Sequence, residues 1–437
     1  MEEETVIENK PRNVFTYKNY VLTFMGALVS NLGNILYNFA VSFYILQLTG
    51  NNAFIQGLYL AVAGITYVLV ALFGGVISDR FHKGKIMYIC DYAKGFVIIV
   101  FTLLLMFLIK EDNAKVIVLF VVAVLLNAIA AIFSPAASSL LPHIVPEESI
   151  QQAQSYNSVM SSSLSILGII LAGVLYSLVP INILFLVVGS CYVLSGVSEM
   201  FIRYEHKKPE DKLTVKTVFS DIGSGIKYLF SFKPMLYLLF TALFVNFFFS
   251  PIAENFLPYF VVTDIASSDY MMKDILAPEM WSSIFSVAFA LGMIVMGVIY
   301  SMKKQKESII KGLRISFLLI VSALAVVTVS YILFINGFIH INALLGIMFA
   351  MFISLGMIII TINVPSTTKV LTTVDKDKLG KVNSVVDIGS QGLIPLSNLL
   401  AGLIIAGIGP SYLLIICTTG LALMVIFLFI NKQVAKM

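Results

Sequence analysis

Ionisable and amide side chains set inside apolar runs are where this chain could do chemistry. Asn246, Ser250 and Glu254 stand four residues apart and share one helical face, with Pro251 placed to kink the helix and Phe244, Phe247, Phe248, Phe249, Phe256 and Tyr259 supplying aromatic surface. A carboxylate in such surroundings costs about 2.5–3.5 kcal/mol on an insertion scale, and it can exchange a proton or bind a cation. At about 1.5 Å per residue Glu254 also lies deep enough into its run to stand wetted at the outer boundary, and both readings stay open. Ser384, Asp387 and Gln391 occupy a second polar face, continued by Asn398. Asn31, Asn34 and Asn38, with Tyr37 adjacent, form an amide stripe that serves either hydrogen bonding between helices or contact with a substrate. Asp91 and Lys94, three residues apart, read as a local ion pair near the cytosolic boundary or as a tie to Arg80, able to reach headgroups or water by snorkelling.

The elements that must position these groups follow from composition. With 437 residues, 59% hydrophobic and 12% charged, the chain is too apolar for a water-soluble globule. A hydrocarbon core of about 30 Å needs about 20 helical residues per crossing, and apolar runs lie at 19–47, 54–78, 86–109, 115–139, 153–179, 181–203, 235–262, 281–302, 309–334, 339–363, 383–407 and 409–431. They are too long for strands and lack period-two alternation. The expected fold is an all-α membrane protein: twelve transmembrane helices in two pseudo-symmetric six-helix bundles, 19–203 and 235–431. Residues 1–18 and 432–437 read as cytosolic tails. Residues 204–234 read as a cytosolic linker, with an in-plane amphipathic helix marked by Val215, Phe219, Ile222 and Ile226.

With both termini in the cytosol, 24 of the 28 lysines and arginines fall on the inner side and only Lys110, Lys115 and Lys273 on the outer, which sets the orientation. The net charge of +4 is thereby explained by insertion, and nucleic acid is not an expected partner. Cys90, Cys191 and Cys417 sit in apolar runs without metal or disulfide spacing and read as packing residues. The outer loop with Asp264, Asp269, Asp274 and Glu279 is acidic and ends near Trp281, read as an interfacial anchor. There is no phosphate-binding Gly-x-x-x-x-Gly-Lys-Ser/Thr loop, no intramembrane histidine with a partner and no selectivity-filter loop, so neither an enzyme nor a channel is expected.

The stretch Gly74-Gly75-Val76-Ile77-Ser78-Asp79-Arg80-Phe81-His82-Lys83-Gly84-Lys85 resembles the major facilitator superfamily signature between the second and third spans, Gly-x-Leu-Ala-Asp-Arg-x-Gly-Arg-Lys/Arg. Gly75, Asp79, Arg80 and Lys83 fit it, and His82 stands where the family has glycine. Three further stretches are similar to the macrolide-efflux branch: Tyr37-Asn38-Phe39-Ala40 through Gln47-Leu48-Thr49-Gly50-Asn51, Phe133-Ser134-Pro135-Ala136-Ala137-Ser138-Ser139-Leu140-Leu141-Pro142, and Asn246, Pro251, Leu257 and Pro258. The resemblance implies a conformational latch of Gly75, Asp79, Arg80 and Lys83 with Asp387, for which proton carriage is the alternative role. Two family features depart from the pattern. Residues 116–142 hold no arginine or lysine, so the fourth-span arginine associated with proton coupling is missing. Gly168, Ala172 and Gly173 match only part of the antiporter signature Gly-Pro-x-x-Gly-Gly, and a plain small-residue packing face explains them equally well.

An internal repeat supports two related halves. A shift of 229 residues aligns Ser155, Ser158 and Ser162 with Ser384, Asp387 and Gln391, and Leu171-Ala172-Gly173 with Leu400-Ala401-Gly402. Such halves around a midplane site are what alternating access requires. The chain therefore reads as a secondary transporter of a multi-pass bacterial cell membrane. It would be a monomer that expels small amphipathic compounds in exchange for protons, with the proton gradient in place of any cofactor. Glu254 and Asp387 are the proton-coupling candidates. Asn31, Asn34, Tyr37, Asn38, Asn246, Phe248, Ser250 and Gln391 are the substrate-cavity candidates. A transporter of one metabolite, peptide or siderophore, and a membrane sensor or assembly partner with no cavity, are the alternatives.

Overall fold

Chain immersed in hydrocarbon must satisfy its backbone N–H and C=O groups internally, so the apolar runs fold as helices. The computed structural model describes residues 13–204, 233–301, 310–373 and 391–430. A short turn of 3-10 helix, Val14–Thr16, leads into α1 (Lys18–Leu48), α2 (Ala53–Arg80), α3 (Lys83–Phe107), α4 (Asp112–Ile144), α5 (Glu147–Leu178) and α6 (Ile181–Glu199). The helix α7 starts as Lys233–Pro251 and continues through a π turn (Ile252–Phe256), Leu257–Phe260 and a second π turn (Val261–Ile265). Then come α8 (Met280–Ser301), α9 (Ile310–Ile335), α10 (Ile341–Thr373), α11 (Ile394–Ile408) and α12 (Pro410–Ile430). Among the described residues there is no strand; eleven helices are long and apolar enough to cross a membrane, and α11 is apolar but shorter. The amphipathic segment expected in the 204–234 linker and the latch partner Asp387 lie outside the described residues.

Local chemistry sets the tight turns. Gly50 and Asn51 hold positive φ between α1 and α2, a conformation that glycine and asparagine tolerate best. Asn52 then caps α2, accepting from the Phe54 and Ile55 amides at 3.1 and 3.3 Å. His82, where the signature has glycine, caps α3: its Nδ1 accepts from the Lys85 amide at 3.3 Å.

Packing groups the helices into two six-helix bundles. In the first, α1 and α3 both pack on α6, α2 and α3 on α4, and α1 on α5; in the second, α8 and α9 pack on α10, α9 and α11 on α12, and α7 on α11. The bundles meet along two seams, α2 with α11 and α5 with α8. Each seam uses one copy of the repeated Leu-Ala-Gly. A methyl group on Gly402 would stand 2.6 Å from the Ala53 carbonyl oxygen, and one on Gly173 would stand 2.3 Å from Ser283 Oγ. Both contacts lie toward the end of the molecule that carries the α1–α2 turn, here termed the distal end.

One sequence expectation is corrected at that end. Asp264 is not a loop residue: it belongs to the second π turn of α7, and its Oδ2 accepts from the Tyr331 hydroxyl at 2.9 Å. Trp281, in the first turn of α8, packs its ring against Tyr270 and Phe285, with centroids 6.3 and 5.9 Å apart.

Candidate functional site

Pro258 shapes the working part of α7. It has no N–H to donate to the carbonyl four residues back, and the helix there adopts the π turn Ile252–Phe256. The carbonyl left without that bond is Glu254's, and it accepts from Gln56 Nε2 of α2 at 3.2 Å. A proline in the second bundle thus opens a backbone acceptor for an amide of the first.

The Glu254 carboxylate turns toward α11. Asn398 Nδ2 donates to its Oε2 at 2.6 Å, and Asn255 Nδ2 donates to Asn398 Oδ1 at 2.8 Å. Asn255 and Asn398 are buried, whereas the Glu254 side chain keeps exposed surface. Its backbone carbonyl is held from α2 and its carboxylate from α11, the two helices of one seam, which sets that exposed surface beside the gap between the bundles. Close by, Gln56 Oε1 and Asn255 Oδ1 are buried with no hydrogen-bond partner. Above this cluster the seam is backbone on backbone: a methyl group on Gly57 would stand 2.5 Å from the Asn398 carbonyl oxygen.

The other predicted residues divide. Asn31 and Asn38 expose their side chains on one face of α1, whereas Asn34 accepts from the Tyr192 hydroxyl of α6 at 2.7 Å. Tyr37 is separated from them, buried in the first bundle with its hydroxyl 3.0 Å from that of Tyr59. Phe248 packs against Gly420 of α12 and Phe247, away from the gap. Ser250 is buried, Asn246 partly buried and Gln391 exposed. On α5, Gln154, Ser155, Ser158, Ser161, Ser162 and Ser165 are exposed over several turns. Ser158 and Ser165 return their hydroxyl protons to carbonyls four residues back, at 2.9 Å each, so their oxygen lone pairs face outward. A polar stripe of this length is expensive against lipid and suits an aqueous gap.

At the signature stretch, Lys83 is buried and its Nζ donates to the Ser78 carbonyl at 3.1 Å. Gly75, Asp79 and Arg80 fall in the last turns of α2, and what surrounds them there lies outside what the structure describes. Asp91 and Lys94 do form an ion pair, 3.1 Å apart, yet at 0% and 3% exposure they do not snorkel to headgroups or water. Glu199, at the end of α6, is equally buried.

Sequence reasoning missed Gln56, Asn255 and Glu199. Gln56 sits in the first turn of α2 and Glu199 at the last residue of α6, where polar residues ordinarily mark a boundary. A proline four residues after Glu254 was the available signal for the bridge to Gln56.

Two helical bundles that touch along two seams and hold an ionisable, amide-rich junction between them define a transporter architecture. The model of the Major Facilitator Superfamily matches residues 23–395, and the chain belongs to that family. It is 25% identical over 391 residues to the uncharacterized MFS-type transporter YkuC of Bacillus subtilis, covering 86% of this chain and 83% of that one. It is 24% identical over 292 residues to Macrolide efflux protein A of Streptococcus pyogenes, covering 65% and 67%. Its fold matches a crystal structure of a bacterial homologue of the iron transporter ferroportin in an inward-facing state, with a TM-score of 0.71 and 13% identity over 94% of this chain and 98% of that one. The protein is a multi-pass membrane transporter and not an enzyme.

Proposed function

We propose that this transporter exports small amphipathic compounds in exchange for protons, by alternating access, and that Glu254 carries the coupled proton. The lysine and arginine bias supports a cytosolic location for both termini, which makes the distal end extracellular and the closed seams an outer gate. The likeness to Macrolide efflux protein A supports export and an amphipathic substrate. Asn31, Asn38 and the α5 serines offer polar contacts in the gap. Asp387 is assigned to the cytosolic latch with Asp79 and Arg80.

One observation carries the reading. An ionisable side chain exposed beside the gap, Glu254, belongs to the residue whose carbonyl also bridges the bundles through Gln56. As an anion Glu254 accepts from Asn398. As a neutral acid it gains an O–H, and the unpartnered oxygens of Gln56 and Asn255 are acceptors within the same cluster. Proton uptake and release would therefore redistribute the bonds that close the outer gate. One charge crossing 100 mV is worth about 2.3 kcal/mol, enough to bias two states of similar energy.

The test uses the purified full-length protein in proteoliposomes under an imposed pH gradient, with erythromycin and ethidium as probes. Wild type should accumulate at least one of them uphill, and Glu254→Gln should lose the dependence on the gradient. Accumulation by the wild type that ignores the gradient, or a Glu254→Gln variant that keeps it, would refute the assignment.

A further inference from the structure

A second set of ionisable groups lies inside the first bundle, away from the gap. Asp91 and Lys94 of α3 and Glu199 of α6 are all buried in this bundle, with exposures of 0%, 3% and 0%. Lys94 Nζ is 3.1 Å from Asp91 Oδ1 and lies over the Phe133 ring of α4 at 4.2 Å and the Tyr192 ring of α6 at 5.3 Å. Ser30 of α1 adds a hydroxyl 3.4 Å from Asp91 Oδ1. Gly26 and Ser30, one turn apart on α1, lie against Glu199 and Asp91 respectively, which brings the two carboxyl groups to the same buried interface. Among the described residues, the remaining titratable neighbours are Cys90 of α3 and the Tyr192 hydroxyl, which is engaged with Asn34.

Among the described residues, the charges in this pocket do not balance. Two carboxylates against one ammonium leave a net negative charge where no solvent reaches. Moreover, both oxygens of Glu199 and Oδ2 of Asp91 are buried without a hydrogen-bond partner. An ionised carboxylate only accepts, and an anion with neither donor nor counter-charge is strongly disfavoured in an apolar interior. A single added proton answers both defects: it neutralises the surplus charge and turns one carboxyl group from an acceptor alone into a donor.

We propose that Asp91, Lys94 and Glu199 form a proton-binding site of the first bundle, which holds one proton on its two carboxyl groups. The site lies where α1 rests on α6. A methyl group on Gly26 would stand 2.9 Å from Glu199 Cγ, and the Ser195 hydroxyl donates to the Gly26 carbonyl at 2.9 Å. The helix that closes the pocket is therefore the one that presents Asn31 and Asn38 to the gap, and Tyr192 links the pocket to α1 again through Asn34. Taking up or losing the proton shifts α1 against α6, and so the polar face that α1 offers to a substrate. This last step rests on the proton-coupled reading above; the binding of the proton does not.

Infrared spectroscopy of the purified full-length protein tests the site without any substrate. At neutral pH the wild type should show the carbonyl stretch of a protonated carboxylic acid that is lost in the isosteric Glu199→Gln variant. Lys94→Met removes the ammonium and should enlarge that band, because Asp91 must then be neutral as well. A Glu199→Gln spectrum superimposable on wild type, or a band unchanged by Lys94→Met, would overturn the proposal. In proteoliposomes, gradient-driven accumulation of erythromycin or ethidium should fall by about tenfold or more in Glu199→Gln, with its pH profile flattened. An unchanged profile would overturn the coupling of this site to transport. Were the wild type itself indifferent to the gradient, the proton-coupled reading would fall, and the carbonyl band would still decide whether the pocket holds a proton.

Discussion

Gly57 of α2 and Gly402 of α11 face each other across the two bundles so closely that a methyl group on Gly57 would stand 2.9 Å from the Gly402 Cα. The atoms in the way are backbone and cannot yield as a flexible side chain would. The seam closes in this form because both positions lack a Cβ. The other seam places Gly173, the repeat counterpart of Gly402, against the hydroxyl of Ser283.

Enlarging Gly402 should therefore prise the distal end open. Overpacking costs about 1–3 kcal/mol, which corresponds to a shift of about 5- to 150-fold between two states. In a background without the three native cysteines, Gln56→Cys should react with a membrane-impermeant maleimide faster by such a factor when Gly402→Val is added. Equal rates would show that the seam does not depend on this contact.

Pro258→Ala supplies the N–H that the Glu254 carbonyl now lacks, and that N–H competes with Gln56. Losing the bridge removes about 0.5–1.5 kcal/mol from distal closure while the helix itself becomes more regular. Hydrogen exchange should quicken in the first turn of α2 and slow in residues 254–258. If α2 exchange does not change, the Gln56 bond contributes nothing to closure.

Asn398 is 2% exposed and serves both Glu254 and Asn255. Asn398→Ala strands a buried donor and removes a charge-assisted bond, at a cost of about 1–3 kcal/mol. Thermal unfolding in detergent should show a lower midpoint. In a double-mutant cycle with Glu254→Gln the losses should be less than additive, and full additivity would argue that the two side chains act independently.

Tyr37 and Asn38 are neighbours in sequence with opposite expected phenotypes. Tyr37→Phe breaks a hydroxyl pair inside the first bundle and should lower the melting temperature while leaving KM for an exported probe unchanged. Asn38→Ala alters an exposed amide and should raise KM several-fold at unchanged stability, at about 0.5–1.5 kcal/mol for one hydrogen bond. A raised KM in Tyr37→Phe would place that ring in the substrate path after all.

Much of the architecture was legible in the residues alone. Hydrocarbon imposes helix on any long apolar run, so run length, the lysine and arginine bias and the Leu-Ala-Gly repeat set the helices, an expected orientation and a two-fold plan without reference to packing. The polar stripes were legible for the same reason, because helical periodicity shows which residues share a face. Periodicity is silent on what that face meets. The bonds from Gln56 and Asn398 to Glu254 join residues 198 and 144 positions apart, and the Asp91, Lys94 and Glu199 pocket unites α3 with the final residue of α6. Only the assembled bundles decided those pairings, and with them which carboxylate looks into the gap and which is sealed away from water. The reason is that a side chain's free energy depends on its neighbours in space, and in a helical bundle those neighbours come from helices far apart along the chain.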